Sequence, residues 1–267
     1  MTNLFSYVDR TVRERLEREG RLAAVDLTGR RAGEPGAGEP YLSVLGPIPL
    51  PRMVKGEERL LEWYPFVRRV ELTSVCDAAC GVPQGNGESF RELLQRTMAV
   101  NSALLYGDVG ATKAPLVRIH SCCMTGDVFG SMRCECGPQL AVSFERIVEE
   151  GAGVVVYMSG HEGRGIGLWA KAVTYILQDG GQDTYEANTS LGLPEDSRDF
   201  TDAAVILRYL LKGKPIRLLT NNPLKKADLE RGGQPVAETI PIVSGVSRHN
   251  RGYLAAKRGR GHTLPEL

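Results

Sequence analysis

Residues 118 to 140 read RIHSCCMTGDVFGSMRCECGPQL. The opening residues end an apolar run, 116–120, that predicts a strand, and Pro138 suits the first turn of a helix whose buried stripe is Leu140, Phe144, Ile147 and Val148. Between strand and helix, Cys123, Cys134 and Cys136 stand at Cys-x10-Cys-x-Cys spacing. Three thiols suit a zinc ion that keeps its fourth position open, where the pKa of a bound water falls from about 15.7 toward about 7. Buried thiols that only fill space, and a structural zinc completed by Cys122 or His120, are equally compatible with this spacing.

Outward from this stretch, strand patterns at 103–106, 116–120, 154–158 and 216–220 alternate with helix patterns after Pro138, after Gly165 and over 202–211. That alternation predicts an α/β fold, with layered mixed sheets and flanking helices. Nearer the N-terminus, 60–63 and 66–72 read as short strands, followed by the Gly-rich GVPQGNGE and a helix over 88–98. Phe5, Val8, Val12 and Leu16 predict an amphipathic helix over 3–19, and GRRAGEPGAGEP within 26–40 reads as a linker. The expected organisation is an N-terminal helical extension with its linker at 1–44, then one catalytic domain at 45–267.

With 267 residues and 42% apolar content, the chain can bury a substantial core. No apolar run reaches the ~18 residues of a membrane span, and the charged N-terminus does not read as a secretory signal, so a cytoplasmic, membrane-free protein is expected. Its six cysteines are then expected to stay reduced. Thirty-three basic against 32 acidic residues leave a net charge of +1, which argues against a nucleic-acid reader. Cys76 and Cys80 lie at Cys-x3-Cys without a second pair nearby and read as incidental thiols.

Three further stretches carry chemistry. GHEGRGIG at 160–167 follows an apolar strand and opens a helix, so its amides can line a polar ligand, although such glycines also serve tight packing. TNNPLKK at 220–226 emerges where open α/β sheets bind ligands, and reads equally as a capped turn. LPEDSRDF at 193–200 is an acidic turn with an N-capping reading of its own.

Together, RIHSCCMTGDVFGSMRCECGPQL, GHEGRGIGLWAKAVTYILQDGGQDT, AN with LGLPEDSRDF, RLLTNNPLKK and the tail YLAAKRGRGHTL resemble GTP cyclohydrolase II, a riboflavin-biosynthesis hydrolase. The likeness covers about residues 100–267. It implies that Cys123, Cys134 and Cys136 hold one zinc per subunit. It makes Asp196 a proton acceptor, Arg198 a nucleophile or, given the high pKa of a guanidinium, a phosphate clamp, and Tyr175 an active-site phenol. Substrate contacts fall on Arg118, Ile119, His120, Ser121, Cys122, Gln139, Glu162, Gly163, Arg164, Thr184, Thr220 and Lys225. The implied reaction opens the imidazole ring of GTP at C8, releasing formate and pyrophosphate and leaving 2,5-diamino-6-(5-phosphoribosylamino)pyrimidin-4-one. Magnesium with the triphosphate and a homodimer are implied as well.

The chain departs from the family pattern at Cys122, where a glutamate is common, and at Ser159, where an arginine is. Relatives lacking the tyrosine stop at a formylamino pyrimidine, so Tyr175 predicts full deformylation. The N-terminal part is too short for the dihydroxybutanone phosphate synthase domain often fused to this enzyme. The rivals are a paralogue halting at the formylamino product or taking another nucleotide, a zinc-stabilised nucleic-acid module, and, more weakly, a zinc deaminase.

Overall fold

The computed structural model describes residues 10–72 and 99–264. Phe5 and Val8 of the first expected helix, Cys76, Cys80, the GVPQGNGE stretch and the helix expected over 88–98 lie outside the described residues.

Among the described residues, nine strands form one sheet in the order β1-β2-β4-β5-β7-β6-β8-β9, with β3 paired to β4. They are β1 (Leu22–Asp26), β2 (Pro40–Leu45), β3 (Ile48–Val54), β4 (Glu57–Arg68), β5 (Asn101–Tyr106), β6 (Leu116–Ser121), β7 (Gly153–Met158), β8 (Ile216–Leu219) and β9 (Val236–Ile240). Pairings from β1 through β5 to β7 are antiparallel, whereas β7, β6, β8 and β9 run parallel. The helices are α1 (Arg10–Arg18), α2 (Met124–Asp127), α3 (Cys136–Glu149), α4 (Gly167–Asp179), α5 (Thr184–Ser190), α6 (Thr201–Leu211), α7 (Pro223–Arg231) and α8 (Arg251–Gly259). A 3-10 segment, Ser159–Arg164, joins β7 to α4.

Alternating side chains divide the core between the two faces of the sheet. Val117, Ile119, Val154, Val156, Ile216 and Leu218 pack with α6 residues such as Ala203, Ile206 and Leu207. Leu116, Val155 and Leu219 meet Phe144 and Ile147 of α3 on the other face. Each fully buried aliphatic side chain contributes roughly 1.5–3 kcal/mol.

This layering places the site. The chain leaves β6, returns through α3 to β7 on one side, then crosses through α6 to β8 on the other. Strand order therefore reverses at β6, and a crevice opens beyond the carboxyl ends of the parallel strands. Cys122–Cys123, the 3-10 segment and residues 220–225 all emerge there.

The N-terminal part differs from its sequence reading. β1 and β2 belong to the same sheet, the expected boundary at residue 44 falls inside β2, and Val25, Leu42 and Val44 sit in the main core. The Gly/Pro-rich stretch is an ordered connection, because the Asp26 carboxylate accepts hydrogen bonds from the Thr28, Arg30 and Gly38 amides and the Thr28 hydroxyl. Residues 57–68 form one long strand through Pro65 rather than two short ones. α1 is present, with Leu16 half-buried and Val12 exposed.

Candidate active site

β6 ends at Ser121, and its direction carries the chain straight into the thiols. Cys123, Cys134 and Cys136 place their sulfurs within 4.8 Å of one another. The Cys123 and Cys134 sulfurs are 3.6 Å apart, close to the ~3.8 Å expected of two thiolates bound tetrahedrally at ~2.3 Å. Without a cation the three cannot all ionise: Cys123 is driven well below the thiol range by hydrogen bonds from Cys134 and Cys136, and those two are driven up by donating to it. A dication lifts that conflict, so the donor set fits zinc. Gly126 leaves the cluster uncrowded, since a Cβ there would lie 3.1 Å from the Cys134 sulfur and 3.2 Å from that of Cys123.

The 3-10 segment locks this end. Gly163, Arg164 and Gly165 all adopt positive φ, 59°, 65° and 89°, a conformation glycine takes freely and arginine only under constraint. The turn buries the Glu162 carboxylate, which accepts from the Met124 amide at 2.6 Å, Lys171 Nζ at 2.6 Å, the Gly163 amide at 3.1 Å and the Cys122 thiol at 3.6 Å. Lys171 Nζ also reaches the Cys123 sulfur at 3.2 Å. Beside it, the Tyr175 hydroxyl meets Thr125 Oγ1 at 2.9 Å and Arg133 covers the ring at 4.4 Å. Burial pushes the Cys122 thiol up to about 11, so it stays protonated.

The same cleft gathers cations. Lys225 enters from the first turn of α7, buried, with its Nζ 2.8 Å from the Ile119 carbonyl. Burial, then the charges of Arg118 and Arg198, push it well below the lysine range. Arg118 donates to the Leu219 carbonyl at 3.0 Å and to Gln139 Oε1 at 2.8 Å, and burial lowers it to about 10. Arg164 lies 3.7 Å above the Tyr185 ring. Arg198 is held by Asp196, donating through Nε at 2.8 Å and through Nη2, which leaves Nη1 on Ser121 Oγ at 3.3 Å. Ser121 lies 3.3 Å from His161 Nδ1, while His161 Nε2 donates to the Asp199 carbonyl at 3.1 Å. Burial and the Arg198 charge lower His161 to about 4, so it is a neutral acceptor for the serine.

One cleft takes in both the thiols and these cations. Of the residues singled out by sequence, Arg118, His120, Ser121, Cys122, Cys123, Cys134, Cys136, Gln139, Gly163, Arg164, Tyr175, Thr184, Arg198, Thr220 and Lys225 line it. Ile119, Glu162 and Asp196 stand behind the lining. The Ile119 side chain is in the core, the Glu162 carboxylate is already engaged as an acceptor, and Asp196 acts on Arg198. Ser159 bonds Val100 and Asn101 away from the cleft. Asn221 and Asn222 serve both readings of their stretch: they line the cleft, Asn221 pairs with the Ile242 backbone, and Asn222 caps α7.

Sequence reasoning missed several lining residues. Lys171, Thr174 and Gln178 share with Tyr175 the i, i+3, i+4, i+7 spacing on α4 and turn a polar stripe inward, a helical period that was there to be read. Tyr253, Lys257 and His262 arrive from the C-terminal segment, where Lys257 donates to Glu135 at 2.6 Å, beside the three thiols. Only the tail's likeness pointed to them.

Against known proteins, a family model described as GTP cyclohydrolase II matches residues 86–241. The chain is similar to the riboflavin biosynthesis protein RibBA of Salinispora tropica, 52% identical over 203 residues that cover 74% of this chain and 50% of that protein. The RibBA of Salinispora arenicola is 46% identical over 198 residues, covering 74% of this chain and 46% of the relative. A probable bifunctional riboflavin biosynthesis protein, RIBA 1, chloroplastic, of Oryza sativa subsp. japonica is 51% identical over 156 residues, 58% of this chain and 29% of that one. The chain thus spans half or less of the length of these relatives.

Proposed function

The chain belongs to the GTP cyclohydrolase II family, and from that premise we infer that it hydrolyses GTP in a zinc-dependent reaction, opening the guanine imidazole ring at C8 with release of formate and pyrophosphate. The remaining product is 2,5-diamino-6-(5-phosphoribosylamino)pyrimidin-4-one. One observation carries this reading: a single cleft holds a three-thiol cluster together with Arg118, Arg164 and Lys225, whose described hydrogen-bond and ring partners are neutral groups. Buried basic groups bonded directly only to neutral partners favour an anion. A nucleoside triphosphate supplies one beside the thiols.

Zinc on Cys123, Cys134 and Cys136 would supply Lewis acidity and an acidified water for the ring hydrolysis. The protein groups do the remaining work. Lys225, Arg164 and Arg198 grip phosphate oxygens, and Asp196 orients Arg198 so that its Nη1 reaches Ser121 on the cleft wall, which suits a clamp better than a nucleophile. Gln139, fixed by Arg118, borders the base. Glu135 is the carboxylate of the cleft lining and is paired with Lys257, so magnesium would enter chiefly on the triphosphate oxygens.

Tyr175, its hydroxyl bonded to Thr125 beside the thiols, favours complete deformylation over a formylamino product. A homodimer and a cytoplasmic setting complete the proposal. Trp169 and Ile176, seven residues apart on α4 and 86% and 72% exposed, offer apolar surface that a second copy would cover. Among the described residues no helix is long and apolar enough to cross a membrane. Incubation with GTP, zinc and magnesium tests the reaction: equimolar formate and pyrophosphate are expected, pyrophosphate alone selects the formylamino product, and untouched GTP rejects both.

A further inference from the structure

Nine buried side-chain polar atoms have no hydrogen-bond partner among the described residues, and five belong to cleft-lining residues: Arg118 Nε, His120 Nδ1, Glu135 Oε2, Arg164 Nη1 and His262 Nδ1. An unpaired buried polar atom is costly, so a concentration of them at one cleft marks where a ligand completes the network.

His120 is the most tightly determined of the five. It is 1% exposed, and its Nε2 lies 3.0 Å from both carboxylate oxygens of Asp127. Asp127 is itself fixed by the Tyr157 hydroxyl at 3.0 Å and the Cys123 amide at 3.0 Å, and Tyr157 stacks on the imidazole at 5.5 Å between centroids. An ionised carboxylate only accepts, so the hydrogen resides on Nε2. Burial, with Arg118 and Lys225 nearby, disfavours a second proton. Nδ1 is left as a bare lone pair on a residue lining the cleft.

We propose that Asp127 is a positioning residue of the nucleotide site: by holding His120 as the Nε2–H tautomer it presents Nδ1 as an acceptor for an N–H or O–H group of the bound nucleotide. Its neighbours in the cleft explain why this matters. Arg118, Arg198, Lys225 and Lys257 are all donors, suited to phosphate oxygens. A lone pair among them repels phosphate and selects the hydroxyl or amide hydrogens of sugar and base. The family resemblance implies His120 as a substrate contact but does not single out Asp127, which sits seven residues on, in the loop of thiols. This inference rests on the nucleotide reading of the cleft.

The test uses zinc-loaded protein. Two-bond proton–nitrogen correlation of ring-labelled histidine reports the tautomer, and calorimetry reports affinity for guanosine 5′-(α,β-methylene)triphosphate, which resists cleavage. Asp127→Asn keeps the shape and can still accept from Tyr157 and Cys123, but offers its amide hydrogen to Nε2 and so moves the ring hydrogen to Nδ1. Expected are an Nε2–H ring in the unmodified protein, an Nδ1–H ring in Asp127→Asn, and affinity about 10- to 100-fold weaker. His120→Phe should weaken binding similarly, with Asp127→Asn adding nothing in that background. An Nδ1–H or doubly protonated ring in the unmodified protein overturns the proposal. So do unchanged affinity in Asp127→Asn, losses that add in the double variant, or a loss that tracks zinc content. If the unmodified protein fails to bind the analogue, the nucleotide reading itself falls, a failure distinguishable because the tautomer is measured without ligand.

Discussion

At the thiol end of the cleft, three ligands come from the one stretch between Cys123 and Cys136, folded by a turn and the start of α3. The cations of the cleft, Arg118, Arg164, Arg198 and Lys225, arrive from β6, the 3-10 segment, the loop before α6, and α7. The first group is local, and a metal is proposed to hold its thiolates. The second is assembled by the whole fold, and an anion is proposed to meet it. Local clusters fail when a ligand is lost, whereas assembled ones fail piecemeal, and substitutions at the two ends should separate these behaviours.

Cys134→Ser should have the largest effect: zinc below one equivalent and turnover abolished, with the far-ultraviolet circular dichroism retained. Unfolding on metal loss would make the cluster structural. Next, Lys257→Ala strands the buried Glu135 carboxylate and should lower stability by about 3–5 kcal/mol in denaturant titration, largely recovered by adding Glu135→Gln.

Acid should act on the region between the ends. Burial lowers His161 from 6.5 to about 4, so the folded protein binds fewer protons than the unfolded chain between those values. The stability from its neutral form is complete above about pH 6.5 and is lost as pH falls through about 4, by about 3 kcal/mol at the limit. His161→Gln should flatten the melting temperature's dependence on pH in that window.

Lys225→Met removes a cation whose described hydrogen bond goes to a backbone carbonyl. Affinity for GTP should fall about 10- to 100-fold while the melting temperature holds or rises, because a desolvated charge is gone. A drop in melting temperature would show that the cation stabilises the fold instead. Gly126→Ala, which crowds the thiols, should weaken zinc binding about tenfold in a chelator competition.

The same contrast explains what sequence made legible. Thiol spacing and the alternation of β6, α3, β7 and β8 are short-range patterns and stood out at once. β1 and β2 were obscured because glycine and proline between them suggested a linker, although Asp26 orders that loop through side-chain bonds no composition reveals. Lys257 and His262 reach the cleft only because the C-terminal segment folds back, with the Thr263 amide bonded to the Asn221 carbonyl at 2.9 Å. The Cys122 thiol is plain in the sequence, but its pairing with Glu162 required the fold.

The most direct measurement of the central claim is product stoichiometry from GTP with the zinc-loaded chain and magnesium. One formate and one pyrophosphate per GTP consumed are the expected result, while GTP left intact, or consumed with its guanine ring still closed, would contradict it.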